Sequence, residues 1–305
     1  MEKTIDLLVA GEINPDLILS GDVTPVFGQV EKLVESAELV IGSSSAIFAC
    51  GAARLGLRVA FLGVCGDDLF GRFMRQALEQ AGVDCSACIV DPQQQTGLSV
   101  ILTRGADRAI LTHAGALAAL RADQVDSGQL SRARHLHLAS YFLQEALQPG
   151  LPELFARAHS LGLTTSLDTN WDPRGGWRGL EDLLRLTDVF LPNENEALAI
   201  TRAPSAGQAL QRLGSLAGTV AVKRGRDGAL ACRGEQMASA RALPLEVADT
   251  IGAGDSFDAG FLYGWLNGWS LDKSLRLGVA CGSLSTRRPG GTAGQPTLAE
   301  AMQHV

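Results

Sequence analysis

The chain has 305 residues, 46% apolar and 19% charged, which is ordinary globular composition with enough length to bury a large core. Its formal net charge of −7 argues against a dedicated nucleic-acid surface or a polybasic membrane face. No apolar stretch approaches membrane-spanning length, the start carries no apolar leader, and the six cysteines are scattered, so a cytoplasmic protein with reduced thiols is expected.

Residues 5–11 read as a buried strand, followed by Glu12-Ile13-Asn14-Pro15-Asp16 and a second strand at 17–19. An acid just past a central strand stands where open α/β sheets bind ligands, although Asn14-Pro15-Asp16 is equally good turn chemistry. Residues 17–41 hold Gly21, Pro25 and Gly28 and are irregular for an α/β unit. Residues 99–103 and 109–113 alternate on either side of Gly105, which predicts a hairpin with its turn at 104–108. Gly42-Ser43-Ser44-Ser45-Ala46 is a small-residue entry to a helix closed by Gly56, and its serines can serve as N-caps. Residues 59–64 form the next expected strand. Asp67 and Asp68 then read as caps of a helix ending at Ala81-Gly82 rather than as a metal pair. Cys85 and Cys88 have CxxC spacing but no second pair to complete a zinc site.

From residue 115 onward, strands and helices alternate as in a parallel sheet covered on both faces. His135 and His137 share one face of a strand at 134–140, without a third ligand that would make them a metal site. A strand at 163–170 ends in the polar groups Asp168 and Asn170. Asn193 and Glu196 are three residues apart at a helix start, which is capping-box spacing. Residues 219–230 read as strand, glycine turn and strand, with Lys223 and Arg224 leading into Gly225 and Gly228.

The stretch that organises the chain is Asp249-Thr250-Ile251-Gly252-Ala253-Gly254-Asp255-Ser256-Phe257. Phe257, Phe261 and Trp265 recur every four residues until Asn267-Gly268 stops the run, which is a helix with a glycine-rich entry. The N–H groups of Gly252, Ala253 and Gly254 would lie at its N-terminus, where the dipole and unpaired donors favour an anion. Asp255 beside them suits a base that orients a hydroxyl for attack on a phosphoryl group. At a helix N-terminus it should be a weak base, which a loose transition state tolerates. No G-x-G-x-x-G follows a strand and no G-x4-G-K-[ST] is present, so dinucleotide and P-loop sites lack their motifs.

The stretch from Asp249 to Phe257 resembles the C-terminal signature of the ribokinase (PfkB) family of carbohydrate kinases, and the resemblance extends over almost the whole chain. It implies one ribokinase-like α/β domain over residues 1–305, with a mostly parallel sheet flanked by helices and a small β-sheet lid from segments at about 16–41 and 97–113. It implies transfer of the γ-phosphoryl of ATP to a hydroxyl of a small sugar-like substrate. Asp255 would act with Gly252, Ala253 and Gly254 in catalysis, and Asn14, Asp16, Gly42, Ser43, Ser45 and Arg108 would meet the substrate. Asn170, Asn193, Lys223, Gly225 and Gly228 would face ATP, and Glu196 would hold Mg²⁺ through water. Asp249 and the Ile251 carbonyl would hold a monovalent cation such as K⁺, and the lid would pair two copies into a homodimer. The chain departs from the family pattern in two places: Ser43 stands where a second glycine is usual, and Ile47 where a substrate-binding asparagine is usual. That leaves open whether Ser43, Ser44 or Ser45 replaces the asparagine or the substrate is less polar there, and with it whether the acceptor is ribose. It also leaves open a nucleoside kinase or a catalytically silent sugar- or nucleotide-binding protein.

Overall fold

β1 (Ile5–Ala10) is buried along its whole length. A strand covered on both faces reads as a continuous apolar run and belongs in the middle of a parallel sheet. The computed structural model describes residues 3–105 and 107–305. Ala106, within the expected turn at 104–108, lies outside the described residues, as do Met1 and Glu2 of the expected start.

The chain then continues through β2 (Pro15–Ser20), β3 (Ser36–Ile41), α1 (Ser44–Arg54), β4 (Val59–Leu62), β5 (Val64–Gly66), α2 (Leu69–Gln80), β6 (Val83–Asp84), β7 (Ile89–Asp91), β8 (Leu98–Arg104) and β9 (Asp107–His113). After these come α3 (Ser127–Arg132), β10 (Ala133–Leu138), α4 (Leu151–Ser160), β11 (Thr164–Leu167), α5 (Glu181–Leu184), β12 (Val189–Phe190), α6 (Glu194–Thr201) and α7 (Ala206–Gly214). The C-terminal part holds β13 (Thr219–Lys223), β14 (Ala229–Arg233), β15 (Gln236–Ala240), α8 (Ala253–Leu266), α9 (Leu271–Ser285) and α10 (Leu298–Ala301).

Nine strands form one sheet in the order β15-β14-β13-β12-β11-β10-β1-β4-β6. The pairs from β12–β13 to β4–β6 are parallel, whereas β13–β14 and β14–β15 are antiparallel. β1 lies between β4 and β10, so the chain moves outward on one side and returns on the other. A crevice opens at the carboxyl ends of strands where the order reverses in this way. Two apolar clusters cover the faces: one holds Phe48 and Phe61 with the helices α1, α8 and α9, the other Leu136 and Phe155 with α4 and α7.

A second sheet, β3-β2-β8-β9, is built from the two segments that fitted the α/β pattern poorly. β9 is exposed at every described position, with Ile110 and Leu111 among its exposed apolar side chains. The expected strand at 59–64 is instead two strands. Gly63 separates β4, which pairs with β1 and β6, from β5, which pairs with β7 in a sheet of its own. Asp68 caps α2 by accepting from the Gly71 N–H at 2.8 Å, as its position predicts. No helix of the described residues is long and apolar enough to cross a membrane.

Candidate active site

α8 begins at Gly252, whose φ of 69° is left-handed backbone. A Cβ there would lie 2.8 Å from Gly291 and from the Ile47 side chain, so a glycine is required on both counts. The Ala253 N–H reaches back to the Thr250 carbonyl at 3.3 Å, a long bond in the turn that leads into the helix. One turn further in, Asp255 is buried. Gly252, Ala253, Gly254 and Asp255 all line a cavity of about 880 Å³, together with Ser44, Arg108, Asn170, Asn193, Lys223, Gly225 and Gly228. Five segments distant in sequence thus converge on the end of α8. Leu243, Leu245, Val247, Phe257 and Val279 give one part of the cavity an apolar wall.

Burial pushes the Asp255 carboxyl well above its ordinary value, and the neighbouring Asp168 and Glu12 add to the rise; Lys223 works against it. The helix end alone would predict the opposite direction. Desolvation and two like charges win, so Asp255 is a stronger base than its place in the sequence indicates.

Lys223 at the end of β13 is held under this helix turn. Its Nζ lies 2.8 Å from Asp168 Oδ2 and 2.9 Å from Asp258 Oδ2. Asp168, Asp255 and Asp258 offer carboxylate oxygens within 4.8 Å of one another. For Asp168 and Asp258 the Lys223 ammonium already supplies the opposite charge. Burial opposes that charge, but the two carboxylates outweigh it and hold Lys223 protonated. The expected nucleotide-facing cation is thus also the counter-ion of two buried acids.

Asn193 and Glu196 form the capping box of α6. Glu196 N–H donates to Asn193 Oδ1 at 3.0 Å, and Asn193 N–H donates to Glu196 Oε2 at 2.9 Å. Asn193 lines the cavity, whereas Glu196 stands buried behind it. Burial first, then Asp168, raises the Glu196 carboxyl to about 7. Gly225 and Gly228 shape the β13–β14 turn. Gly228 has φ 84° and packs so closely on β15 that a Cβ would sit 1.9 Å from the Ala240 carbonyl oxygen.

The residues expected at the substrate divide into two groups. Arg108 on β9 reaches the cavity and lies 3.9 Å from Asp249 Oδ1. Asn14, Asp16 and Gly42 sit together between the two sheets, outside that cavity's walls. Gly42 lets the Asp16 carboxylate pack on the backbone, since a Cβ would come within 2.2 Å of Oδ1. Burial raises the Asp16 carboxyl to about 6, against a hydrogen bond from Ser99 and the charge of Arg108. Ser43 and Ser45 are committed elsewhere. Ser43 Oγ donates to the Glu12 carbonyl at 2.7 Å and caps Ala46, and Ser45 Oγ donates to Glu12 Oε2 at 2.5 Å. Ser44 is the serine of this turn that faces the cavity. Asp249 accepts from the Ile251 N–H at 3.0 Å and the Gly290 N–H at 2.9 Å, tying the entry of α8 to the loop after α9.

Sequence reasoning missed Glu12 and Asp258 as members of the site. Glu12 follows β1 and is buried among serine hydroxyls, a neighbourhood that the sequence gives no means of assembling. Asp258 lies one residue past Phe257 on α8, and its helical spacing from Asp255 was the available signal. His135 and His137 are buried and bonded to Thr164 and Ser166, which fits neutral core histidines.

Residues 5–298 match the pfkB family carbohydrate kinase profile. An ATP-dependent ribose-1-phosphate kinase from Halopiger xanaduensis is 30% identical over 290 residues, covering 94% of this chain and 93% of that protein. A 5-dehydro-2-deoxygluconokinase from Geobacillus thermodenitrificans is 28% identical over 327 residues, covering all of this chain and 94% of its own. Among solved structures, a ribokinase II-type protein from E. coli in complex with ATP and Mg²⁺ superimposes with a TM-score of 0.88 at 24% identity, covering 98% of both chains. The chain belongs to the pfkB family of carbohydrate kinases, and it is an ATP-dependent sugar kinase with the ribokinase-like fold.

Proposed function

We propose that this kinase transfers the γ-phosphoryl of ATP to a hydroxyl of a small sugar-like acceptor, with Asp255 as the base. The observation that carries this reading is a buried carboxylate on the first turn of α8, facing an 880 Å³ cavity and raised well above its ordinary pKa. Asp255 takes the hydroxyl proton, the acceptor oxygen bonds to the γ-phosphorus, and the bond from that phosphorus to the β,γ-bridging oxygen breaks to release ADP. The N–H groups at Gly252, Ala253 and Gly254 meet the charge on the moving phosphoryl group. The adenine of ATP would rest against the apolar wall of Leu243, Leu245, Val247 and Val279, with Lys223, Gly225 and Gly228 holding the phosphates.

Mg²⁺ is bound mostly through oxygen and retains several waters. The cavity-facing Asn193 with Glu196 behind it fits such a hydrated ion, because Glu196 is a buried acid with no ion pair among the described residues. When bound, the ion neutralises the charge of the β- and γ-phosphate oxygens. Asp16 and Asn14 grip acceptor hydroxyls from the second sheet, which acts as a lid. Arg108, reaching the cavity from that sheet, favours as a second reading an acceptor that already carries a phosphate. Asp249 and the Ile251 carbonyl are the candidate place for K⁺. Exposed Phe27, Val30, Leu33, Ile110 and Leu111 on the small sheet and its connection suit pairing with a second copy. The six free cysteines suit the cytoplasm.

The test is ADP release from Mg-ATP across sugars, sugar acids, nucleosides and ribose 1-phosphate, with and without K⁺. Asp255→Asn should lower kcat by about three orders of magnitude while leaving ATP affinity unchanged. Undiminished turnover in that variant removes Asp255 from its role. Response to nucleosides alone makes the enzyme a nucleoside kinase, and ATP binding without turnover on any acceptor supports a binding protein.

A further inference from the structure

β1 and β10 are the neighbouring strands at which the sheet order reverses, and a hydrogen-bond chain crosses the crevice at their carboxyl ends. Its centre is the carboxamide of Asn170. Asn170 Nδ2 lies 2.7 Å from Ser44 Oγ and 2.7 Å from Ser140 Oγ. An amide nitrogen has two hydrogens, so both are spent on serine hydroxyls. Each hydroxyl, having accepted, has its own hydrogen to give. Ser140 donates to Glu12 Oε1 at 2.8 Å. Ser44, on the other side, lines the same cavity as Asp255 and opposes the rise of its pKa. Counting donors therefore fixes the direction of the bonds from Asn170 to Ser44, to Ser140 and on to Glu12, and leaves the Ser44 hydrogen available to Asp255.

The backbone supports the same assignment. Six non-glycine residues have positive φ among the described residues, and Ser43 (66°), Ser140 (55°) and Asn170 (51°) are three of them. Left-handed conformations in ordinary residues persist only where their surroundings over-determine them, and they collect at functional sites. Ser43 is spent on the Glu12 carbonyl and the Ala46 N–H, which sets the first turn of α1 and turns Ser44 toward the cavity.

We propose that Ser44 and Ser140, bridged by the Asn170 amide, are positioning residues that hold the Asp255 carboxylate in the orientation that meets the acceptor hydroxyl. The proposal rests on Asp255 as the base. Ser140 is buried and does not line the cavity, and kinetics separate its roles: a lost acceptor contact raises the acceptor KM, whereas lost positioning lowers kcat alone. The glycine variant suits its left-handed backbone and removes the hydroxyl together with its Cβ.

The experiment measures ADP formation from Mg-ATP with the fastest acceptor of the panel and, alongside it, with water alone. Ser140→Gly is expected to lower kcat about fivefold with both KM values unchanged, and Ser44→Ala about tenfold, with Ser44→Thr recovering most of the loss. Ser44→Ala/Ser140→Gly should be no slower than Ser44→Ala, because one chain is broken in each case. Unchanged kcat in Ser140→Gly, losses that multiply in the double variant, or a change confined to the acceptor KM in Ser44→Ala would overturn the proposal. A fall in melting temperature with normal kcat would overturn it too, by assigning these hydroxyls to stability alone. Asp255→Asn keeps the two readings apart. If it is inactive while both serine variants are normal, only the positioning chain fails; if it is fully active, the base assignment fails first.

Discussion

Asp16→Asn should make the protein more stable and a poorer kinase, and the gain in stability should depend on pH. The Asp16 carboxyl is buried beneath Gly42, and its pKa is raised from the ordinary 3.8 to about 6 chiefly by loss of water. A group whose folded pKa lies above its unfolded one binds more protons in the native state between those values. Its favourable contribution is therefore fully present below pH 3.8 and is lost as pH rises through 6. At about 1.36 kcal/mol per pH unit, the ionised side chain costs the native state up to about 3 kcal/mol at pH 8. Asparagine has nearly the same shape and no charge, so it removes that cost. At pH 5 the same linkage leaves about half of the difference. With an unfolding entropy of roughly 2.1 cal/mol/K per residue, 3 kcal/mol corresponds to a rise of about 5 °C in Tm for a chain of this size. The assay is thermal unfolding of both proteins at pH 5 and pH 8, with acceptor KM measured in parallel. An equal Tm at pH 8, or a gain of the same size at both pH values, refutes the reasoning, because either result means that Asp16 does not titrate with a raised pKa.

Lys223→Met leaves Asp168 and Asp258 buried without their counter-ion, and breaking such a pair costs about 3–5 kcal/mol. Denaturant unfolding should show a loss of that order at pH 8; a loss under about 1 kcal/mol would mean that the two acids are protonated and uncharged at that pH. Gly228→Ala should destabilise by more than about 1 kcal/mol, since the residue has φ 84° and its Cβ would overlap the Ala240 carbonyl. It should also raise the KM for ATP while leaving the acceptor KM in place, and a shift in the acceptor KM alone would move this turn away from the nucleotide.

The elements that could be read from sequence were those whose signals are local. Gly252, Gly254 and Asp255 precede an apolar run with helical spacing, and α8 begins where that pattern predicts. Asn193 and Glu196 show their capping box in a four-residue window. The poor α/β pattern of residues 17–41 and the alternation around Gly105 marked two segments that pair as one separate sheet. What escaped depends on contacts between distant segments. Lys223 meets Asp168 from 55 residues away and Asp258 from 35, and nothing local to Lys223 distinguishes a nucleotide contact from a counter-ion. The choice of Ser44 over Ser43 and Ser45 depends on the left-handed turn at Ser43, a conformation that glycine, not serine, would have advertised. The break of the strand at Gly63 was hidden because both halves are apolar and buried.

The basicity of Asp255 shows how these two kinds of signal combine. Its neighbours in sequence place it at a helix N-terminus, and a helix N-terminus favours the ionised acid by a fraction of a kcal/mol to about 2 kcal/mol. Its neighbours in space are Asp168 and Glu12, both buried carboxyls, together with the loss of water itself. Lys223 is the cation at hand, but both of its ion pairs go to Asp168 and Asp258. A lysine paired directly with Asp255 would hold the carboxylate ionised and make it a poor proton acceptor. Because the ion pairs of the lysine go to Asp168 and Asp258, Asp168 is held ionised while Asp255 keeps an affinity for the proton of the acceptor hydroxyl.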